Sequence, residues 1–336
     1  MFTRIDEILK KSKDGQGINE EEALTLLKEI RPDSEKFTRL LYIADQQSKD
    51  FFNGVGEVHG QIGLNQDKCS KNCKFCNFAN DNFKEQASQL SDSEILRRLE
   101  ELLDAGIGSL SLMTTADFPF DEYVRIGQMI IDKTKGQVLL FGNWGDITLE
   151  QAKVLKKVGF TFYYHALRLR EGIDTEIRRG KRIESMRNVK KAGLLLGSCL
   201  EPIGPEHTYE EIVDLLEEMK NLDIRFMATM KRIVTPNSLY EMQEEITDLE
   251  FAKITAVTRL YFGKRLLTMA AHEPSGLCLN AGANFLVAES GTNPRDGERE
   301  TSNNRGLSVV ECQKLLSENG YKVFRGDFLE RYNGMV

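Results

Sequence analysis

The run Asp67-Lys-Cys-Ser-Lys-Asn-Cys-Lys-Phe-Cys-Asn-Phe78 places three cysteines within eight residues, in the spacing C-x3-C-x2-C. Thiolates are soft ligands, and closely spaced thiolates select zinc or an iron–sulfur cluster. Three cysteines can hold three corners of a cubane and leave one iron open to a ligand that is not protein. A structural zinc site would need four ligands, and no fourth Cys or His lies nearby in the sequence. The spacing favours a [4Fe–4S] cluster, with a partial zinc knuckle or inert buried thiols as alternatives.

The composition is acidic: 336 residues carry 45 basic and 52 acidic side chains, for a net charge of −7. Nucleic acid and anionic membranes attract basic surfaces, so neither is an expected partner. Six cysteines in so long a chain do not form a secreted disulfide framework, and the clustered trio indicates a reducing compartment, the cytoplasm. No apolar run reaches the ~18 residues of a membrane helix. The first residues, Met1–Glu7, lack the apolar core of a signal peptide.

Strand-like and helical segments alternate along most of the chain. Residues 1–52 have a helical period with many charges, which predicts an N-terminal helical extension. The capping box Ser91-Asp-Ser-Glu94 predicts a helix through Asp104. Short strands separated by helices of about ten to fifteen residues are typical of parallel βαβ units. Strands are predicted at residues 57–64, 109–115, 137–141, 160–164, 194–200, 224–230, 265–270 and 283–288.

Eight such strands predict an α/β protein with a (βα)8 barrel over residues 53–336, ending in a C-terminal helix. The prediction of the last βα unit is the weakest, because only residues 273–282 link its two strands. A six-strand partial barrel is therefore the alternative. In either barrel the cysteine run follows the first strand, which places it at the C-terminal face, where the active sites of such barrels lie.

The cysteine spacing, with Phe75 directly before the last cysteine, resembles the signature of radical S-adenosylmethionine (SAM) enzymes. The N-terminal helices, the place of the cysteine run and Leu279-Asn-Ala-Gly-Ala-Asn284 resemble the biotin synthase group, which includes methylornithine synthase and a maturase of the iron-only hydrogenase. This resemblance covers nearly the whole chain. It implies that Cys69, Cys73 and Cys76 hold a [4Fe–4S] cluster whose open iron binds the amine and carboxylate of SAM. One electron then cleaves SAM to methionine and a radical that abstracts hydrogen.

The resemblance further implies a small-molecule substrate in cofactor or amino-acid biosynthesis, and a one-electron donor such as ferredoxin or flavodoxin. The step after hydrogen abstraction stays open among rearrangement, carbon–sulfur cleavage and methyl transfer. Sulfur insertion of the biotin or lipoyl synthase kind is a second hypothesis. A non-catalytic metal-binding barrel is a third.

Biotin synthase holds a second, sulfur-donating cluster on further cysteines, one of them on strand five. At the position of that strand-five cysteine this sequence has Gly197, and its own cysteine lies two residues later, at Cys199. The predicted strands two and three contain no cysteine. Cys199, Cys278 and Cys312 are therefore predicted to be small core residues and not cluster ligands.

Two arginines are candidates to bind anionic groups. Arg182, eleven residues before Gly193, matches an arginine that in the family pairs with the SAM carboxylate, which a guanidinium binds bidentately. An exposed helical arginine is the alternative reading. Arg295, in the predicted rim loop Asn293-Pro-Arg-Asp296, could meet an anionic substrate group, but a solvated loop is the default interpretation.

The end of the fourth strand, Tyr164-His-Ala-Leu-Arg-Leu-Arg-Glu171, lies where the family contacts the ribose and methionine of SAM. Relatives carry Asn or Glu directly after the histidine and an acid just beyond it. This sequence has Ala166 and Arg168 at those places. Arg170 and Glu171 are therefore the candidates to replace the ribose contact.

Catalytic candidates follow the fourth and fifth strands. His165 is a ligand contact or a packed core histidine. Glu201 points to the barrel mouth if the fifth strand alternates regularly, and a desolvated carboxylate there is a functional candidate, with a salt-bridged structural acid as the alternative. Ile203 and Gly204 match a family turn that packs on adenine, where a glycine allows close backbone approach.

The segments after the second and third strands supply the remaining candidates. Relatives carry an acidic element after the second strand that binds the methionine amine of SAM. Here Asp117 could supply the carboxylate or only open the next helix, and Thr114 and Thr115 could supply hydroxyls. Two further candidates follow the third strand at the same rim: Asn143 and Trp144, the chain's only tryptophan. The alternative is that they only cover the hydrophobic core.

Overall fold

Eight parallel strands form a closed barrel in the computed structural model, which describes residues 3–332. The strands are β1 (Val55–Gly63), β2 (Ser109–Met113), β3 (Leu139–Asn143), β4 (Phe160–Tyr164), β5 (Leu195–Ile203), β6 (Phe226–Lys231), β7 (Thr268–His272) and β8 (Phe285–Gly291). Each strand pairs with the next, and β8 pairs with β1 from Glu57 opposite Phe285 to Gly63 opposite Gly291. The predicted (βα)8 barrel is confirmed, and the six-strand alternative is wrong.

Helices connect the strands and precede the barrel. They are α1 (Arg4–Ser12), α2 (Glu20–Glu29), α3 (Glu35–Phe51), α4 (Asp92–Asp104), α5 (Phe120–Thr134), α6 (Leu149–Val158), α7 (Arg179–Lys191), α8 (Tyr209–Asn221), α9 (Asp248–Phe262), α10 (Gly276–Asn280), α11 (Val309–Glu318) and α12 (Phe328–Tyr332). The predicted capping box is confirmed, because the Ser91 hydroxyl accepts the Glu94 N–H and the Glu94 carboxylate accepts the Ser91 N–H at 2.8 Å. The weak last unit contains only the five-residue α10.

Three smaller strand segments lie outside the barrel. Asn65–Gln66 and Ser88–Gln89 pair antiparallel, and Lys322–Val323 adds to the start of β1. Two 3-10 turns, Gly263–Arg265 and Thr301–Asn303, complete the secondary structure of the described chain.

The N-terminal helices pack against the barrel's own helices. α2 contacts α8, and α3 contacts α9. Their buried apolar side chains belong to the same hydrophobic cluster as those of the barrel helices, so the two regions share one core. A domain boundary between residues 52 and 53 stays a prediction, and residues 1–2 and 333–336 of the two predicted domains lie outside the described residues. Within residues 3–332, none of the helices combines the length and apolar character needed to cross a membrane.

Aromatic rings fill the middle of the barrel. Phe141 stacks on Phe162 with ring centroids 4.2 Å apart, and Phe226 meets Phe285 edge-on at 4.9 Å. Such large, rigid side chains close the interior below them. The interior space above them opens toward the C-terminal face, where Phe141, Phe226 and Phe285 form its floor.

Gly63→Ala should destabilise the protein by about 1–3 kcal/mol, as overpacking does in a close-packed interior. A Cβ atom at this position would lie 1.9 Å from the backbone oxygen of Thr292, at the seam between β1 and β8. Gly180→Ala is the matched control, because nothing lies within 4 Å of the carbon it adds at the start of α7, and it should be neutral or mildly stabilising. Urea denaturation measures both, and an unchanged midpoint for Gly63→Ala would contradict the close seam.

Candidate active site

The cysteine loop, residues 67–80, leaves the end of β1 and folds back on itself. The Cys69 N–H donates to the Phe78 carbonyl at 2.8 Å, and the Asn80 N–H donates to the Cys69 carbonyl at 3.1 Å. Cys69 is half-buried, whereas Cys73 is buried, and Cys73 and Cys76 line the interior cavity. All three are free thiols. The loop therefore presents Cys73 and Cys76 toward the barrel interior.

Loops from other barrel units hold the cysteine loop from outside. Asp117, predicted to meet the amine of SAM, instead accepts hydrogen bonds from the Ser70 N–H at 2.6 Å and the Ser70 hydroxyl at 2.7 Å. The buried carboxylate of Asp174 binds the Lys74 ammonium at 3.0 Å and the Tyr240 hydroxyl at 2.7 Å. These contacts fix the loop on either side of Cys73.

The rim loop, residues 292–305, closes the other side of the cysteine loop. The Asn77 N–H donates to the Pro294 carbonyl at 3.1 Å, and the Asn77 side-chain amide donates to the Asp296 carbonyl. Arg295 lines the cavity and its Nη1 is 2.7 Å from Glu273 Oε1. The prediction of a solvated loop at Arg295 is therefore wrong, because an ion pair with the segment after β7 draws this side chain inward.

The three thiols suit an iron–sulfur cluster by their chemistry. Burial raises the pKa of the Cys73 thiol to about 12, and burial together with the neighbouring thiols raises the pKa of Cys76 further. Such thiols keep their protons at neutral pH unless a metal takes the place of the proton. Within residues 3–332 no three His, Cys, Asp or Glu side chains converge on one ion. Thiolates on a cubane bind different irons and need no such convergence.

The cavity above the aromatic floor has an empty volume of about 1080 Å³, counting its open mouth. Its polar lining residues are His59, Gln61, Ser111, Thr114, Asn143, Tyr164, Arg168, Glu201, His272, Glu289, Asn293 and Arg295. These side chains come from seven of the eight strands or the segments that follow them.

Glu201 faces the cavity, as the alternation of β5 predicts. It is 3% exposed, its Oε2 accepts a hydrogen bond from the Tyr164 hydroxyl at 2.6 Å, and its Oε1 lies 3.0 Å from Arg168 Nε. Burial and the nearby Cys199 and Glu201 raise the pKa of Tyr164 well above its usual range, so the phenol stays protonated. Within residues 3–332 the terminal nitrogens of Arg168 donate no hydrogen bond, which leaves them available to a ligand.

Arg182 and His165 lie behind the cavity wall. Arg182 is buried, so the exposed alternative is wrong; its Nε lies 2.8 Å from Asp146 Oδ1, and its Nη1 donates to the Ala166 carbonyl at 3.1 Å. The Nε2 atom of His165 is 3.2 Å from the same Asp146 oxygen. Burial and the Arg182 charge lower the pKa of His165 to about 3, so the imidazole is neutral. The role of Arg182 toward SAM stays a prediction.

Arg170 and Glu171 shape the turn after β4. The Glu171 carboxylate accepts hydrogen bonds from the Arg168 N–H and the Thr175 hydroxyl, both at 2.9 Å. Arg170 has a positive φ of 53° and lies 3.3 Å from Asp174. The structure brings neither side chain to the cavity lining, and their predicted contact with ribose stays untested.

The remaining candidates divide between the cavity and its supports. Thr114 lines the cavity with its hydroxyl unpartnered among the described residues, whereas Thr115 exchanges two hydrogen bonds with the Asn65 amide. Asn143 also lines the cavity. Trp144 packs on the core and donates to a backbone carbonyl. Ile203 is buried in the main hydrophobic cluster with Gly204 beside it, and the structure does not bring either residue to the cavity.

Comparison with known proteins agrees with this site. The family model described as the radical SAM superfamily matches residues 66–249, more than half of the chain. The chain belongs to the radical SAM superfamily. It is therefore an enzyme, and its cofactors are a [4Fe–4S] cluster and SAM. The non-catalytic barrel that the sequence left open is thereby wrong.

Relatives of this radical SAM enzyme include biotin synthases. That of Clostridioides difficile (strain 630) is 26% identical over 328 residues, covering 91% of this chain and 95% of the relative. That of Rippkaea orientalis (strain PCC 8801 / RF-1) is 26% identical over 285 residues, covering 79% and 75%. These matches confirm the biotin synthase-like group.

Solved structures match the fold of the radical SAM chain. Methylornithine synthase (PylB) superimposes with a TM-score of 0.81 at 20% identity, covering 96% of this chain and 99% of that one. HydG, a maturase of the [FeFe]-hydrogenase, gives a TM-score of 0.81 at 19% identity, covering 97% and 77%. At these identities the likeness shows the barrel fold alone.

The other three cysteines of the radical SAM enzyme lie in separate places. Cys199 is buried on β5 in a small cluster with Phe226 and Phe285. Cys278 lies on α10, where its thiol contacts Ser275. Cys312 is fully buried on α11, as the sequence predicted, with its thiol 3.7 Å from a β8 carbonyl.

Sequence reasoning missed several cavity residues of the radical SAM enzyme. His59 lies on β1 with its ring nitrogens 2.8 and 2.6 Å from the hydroxyls of Ser109 and Ser111. Burial lowers its pKa to about 3 and that of His272, on β7, to about 4, so both are neutral. Strand alternation was the available signal, because Glu57, His59 and Gln61 must share one face of β1.

Asp146→Asn should destabilise the radical SAM enzyme at neutral pH by about 3 kcal/mol, because Arg182 would keep a buried charge without its partner. Burial raises the pKa of Asp146, but His165 and Arg182 outweigh it and hold that pKa at about 2. The ordinary value of 3.8 in the unfolded chain is higher, so the ion pair's contribution is complete above about pH 4 and is lost as pH falls through about 2.

The free energy of unfolding of wild type and Asp146→Asn, measured by urea denaturation from pH 7 down to pH 2.5, checks this prediction. The difference between the two proteins should shrink below about pH 4. A difference that is independent of pH would show that Asp146 does not act through its charge.

Proposed function

We propose that this radical SAM enzyme holds one [4Fe–4S] cluster on Cys69, Cys73 and Cys76 and abstracts a hydrogen atom from a small molecule bound in the cavity. The observation that carries the proposal is that the cysteine loop borders a cavity with unused hydrogen-bonding capacity. The Thr114 hydroxyl is buried without a hydrogen-bond partner among the described residues, and the terminal nitrogens of Arg168, which lines the same cavity, donate no hydrogen bond within residues 3–332. Buried polar groups are normally paired, so such groups in a cavity indicate a ligand.

The lining of the cavity supports a small substrate with an apolar body and polar ends. Phe141, Phe226 and Phe285 form an apolar floor, whereas the upper wall carries charged and amide groups. Molecules of this kind occur throughout cofactor and amino-acid biosynthesis, the substrate class that we propose. Walls that exclude water also protect reactive intermediates from side reactions.

The protein's own part is to hold the thiols, orient SAM and keep water out. When bound, the cluster and SAM together supply hydrogen abstraction through one-electron reductive cleavage of SAM. Two guanidinium groups could bind the SAM carboxylate. Arg168 lines the cavity, whereas Arg182 occupies the position of the family's arginine but forms an ion pair with Asp146. We assign the carboxylate to Arg182 on the family match, with His165 and Asp146 as its positioning residues.

Glu201 is the proposed catalytic carboxylate on the substrate side of the cavity. The Tyr164 phenol and the Arg168 guanidinium each engage one of its oxygens, which fixes the carboxylate plane. Because the phenol stays protonated, the pair can hand a proton to or take one from a polar substrate group without solvent. A small acidic electron carrier such as ferredoxin or flavodoxin is the proposed reductant.

Sulfur insertion is the second candidate, because the curated relatives are biotin synthases. It would require a second cluster inside the barrel. Of the three remaining cysteines, Cys199 packs with the floor residues Phe226 and Phe285, while Cys278 and Cys312 lie on helices outside the barrel wall. Their separation argues for hydrogen abstraction without sulfur insertion.

Cys73→Ala should abolish the brown chromophore and SAM cleavage after anaerobic reconstitution, because three thiolates are needed to hold the cubane. Cys312→Ala is the matched control, since it removes another buried thiol whose pKa burial also raises to about 12. The control should keep full iron and cost only about 1 kcal/mol of stability. Iron analysis and 5′-deoxyadenosine production provide the measurement; full iron in Cys73→Ala would refute the assignment.

Arg182→Ala should weaken SAM binding roughly tenfold to a hundredfold, the effect of losing a charge-assisted carboxylate partner worth about 1.5–3 kcal/mol. Calorimetric titration of the cluster-loaded protein with SAM measures the change. Asp146→Asn, which keeps the guanidinium, and Arg168→Ala are the comparison variants. A loss of SAM affinity that occurs only in Arg168→Ala would show that Arg168, and not Arg182, binds the SAM carboxylate.

The variant with Cys199, Cys278 and Cys312 all changed to Ala should keep about four irons per chain, the content of one cubane, and should cleave SAM at the wild-type rate. Mössbauer spectroscopy and iron analysis of both proteins decide between the two candidate functions. About eight irons in wild type, halved in the triple variant, would favour sulfur insertion instead.

A further inference from the structure

A second cavity opens at the N-terminal face of the barrel, opposite the active site. Its walls come from the end of α3, the residue before β6, the segment that leads into β7, and α12. We call it the basal pocket, and its lining residues are Phe51, Phe52, Asn53, Arg225, Lys264, Leu266, Leu267, Arg331 and Tyr332. Its empty volume is about 930 Å³, counting the open mouth. The pocket therefore combines an aromatic and aliphatic wall with three cations.

Aromatic side chains separate the basal pocket from the active-site cavity. Tyr332, in the wall of the basal pocket, meets Phe162 edge-on with ring centroids 5.5 Å apart. Phe162 in turn stacks at 4.2 Å on Phe141, which belongs to the floor of the active-site cavity. Among the described residues the two cavities share no lining side chain. The basal pocket is therefore a separate site.

The cations of the basal pocket are poorly compensated. Arg225 is half-buried with its Nε fully buried, and within residues 3–332 its side chain makes neither a hydrogen bond nor an ion pair. Lys264 also lacks an ion pair there, and its Nζ lies 5.3 Å from the centre of the Phe51 ring. Of the three cations only Arg331 has an acidic partner, because its Nε is 2.7 Å from the Glu57 carboxylate. Buried polar groups are normally paired, so the unpaired nitrogens indicate a missing anion.

The charges behind and around the basal pocket do not restore the balance. Arg259 on α9 is fully buried without an acidic partner among the described residues, and its guanidinium carbon lies 5.0 Å from the centre of the Phe52 ring. The buried Glu57 is already engaged by Arg331 and Tyr332. The acids that flank these elements are exposed and lie outside the lining: Asp14, Asp50, Asp223 and Glu330. Exposed charges are screened by water and salt, so these acids offset the cations only weakly.

We propose that the basal pocket binds a small phosphate ester whose organic part carries a ring. A phosphate monoester brings about 1.5 to 2 negative charges at neutral pH, and guanidinium groups bind phosphate oxygens bidentately. The ring would pack against Phe51, Phe52 and Tyr332, which offer a rigid apolar wall. A carboxylate would bring only one charge, and inorganic phosphate would leave the aromatic wall uncovered. The site is independent of the reaction in the active-site cavity.

Packing within the protein does not account for these cations. A cation–π contact holds Lys264 on the Phe51 ring but leaves its positive charge in place. Arg225 has no such contact among the described residues, so the folded chain gains little from its guanidinium. A residue that serves a ligand and not the fold can be removed without loss of stability, and this separates the two roles experimentally.

Calorimetric titration of the cluster-loaded full chain at low salt tests the proposal with three probes: phenyl phosphate, inorganic phosphate and benzoate. Phenyl phosphate should bind about tenfold more tightly than either of the others, or better, because it alone offers both the ring and the doubly charged group. Raising the salt to about 0.5 M should weaken its binding, since the charge contacts are screened.

Variants locate the binding. Arg225→Ala should weaken phenyl phosphate binding about tenfold or more, the effect of losing a charge-assisted partner, and adding Lys264→Ala should weaken it further. Without the ester, the urea midpoint of Arg225→Ala should equal or exceed that of wild type, because the change removes a buried unpaired nitrogen. Lys157→Ala is the matched control, since it removes an exposed lysine on α6 that has no ion pair among the described residues. It should bind the ester as wild type does.

Arg168→Ala distinguishes the basal pocket from the active-site cavity, where an arginine could also take the ester. A loss of affinity in Arg168→Ala with none in Arg225→Ala would place the ester in the active site and overturn the proposal. Equal affinity for benzoate would remove the need for phosphate, and equal affinity for inorganic phosphate would remove the need for a ring. Absence of phenyl phosphate binding to wild type at millimolar concentration would also refute the site. A lower urea midpoint of Arg225→Ala without the ester would assign this arginine to the fold instead.

Discussion

The pairing of β1 with β8 is the constraint on which the active site depends. The cysteine loop leaves the end of β1, and the rim loop leaves the end of β8, so this seam sets the distance between them. Gly63 and Gly291 pair there, and the Thr292 carbonyl lies where a side chain on Gly63 would be. Two residues beyond that carbonyl, the Pro294 carbonyl meets Asn77, directly after the last cysteine of the loop. Backbone contacts thus close the cavity on this side.

The fold could be predicted because its signals are local. Every barrel strand lies where the sequence indicated one, with bounds shifted by no more than three residues. Side-chain caps such as Ser91 with Glu94 set the helix starts, and these depend on residues three apart in the chain. Closure was the uncertain point, because α10 is only five residues long. Closure of the barrel depends on the pairing of β1 with β8, which lie more than two hundred residues apart in the chain. A local sequence pattern does not indicate such a contact.

The site was only partly predictable, because partners decide what a charged side chain does. The cysteine spacing and the inward face of Glu201 follow from residues close in sequence. The inward position of Arg295 depends on Glu273, and the burial of Arg182 depends on Asp146, both partners from other loops. Asp117 has the right chemistry for an amine but is already bound to Ser70. Composition cannot distinguish a free carboxylate from one that another loop has engaged.

Arg168 sets this chain apart from the relatives that it resembles. At this place they carry an acid, whose oxygens can accept hydrogen bonds from ribose hydroxyls. A guanidinium has five donors and no acceptor, so it cannot perform that task. Its Nε lies 3.0 Å from Glu201 Oε1, so part of the acceptor capacity of that carboxylate is already used. The acceptors for ribose must therefore come from elsewhere in the cavity wall, and the free end of Arg168 suits an anionic group.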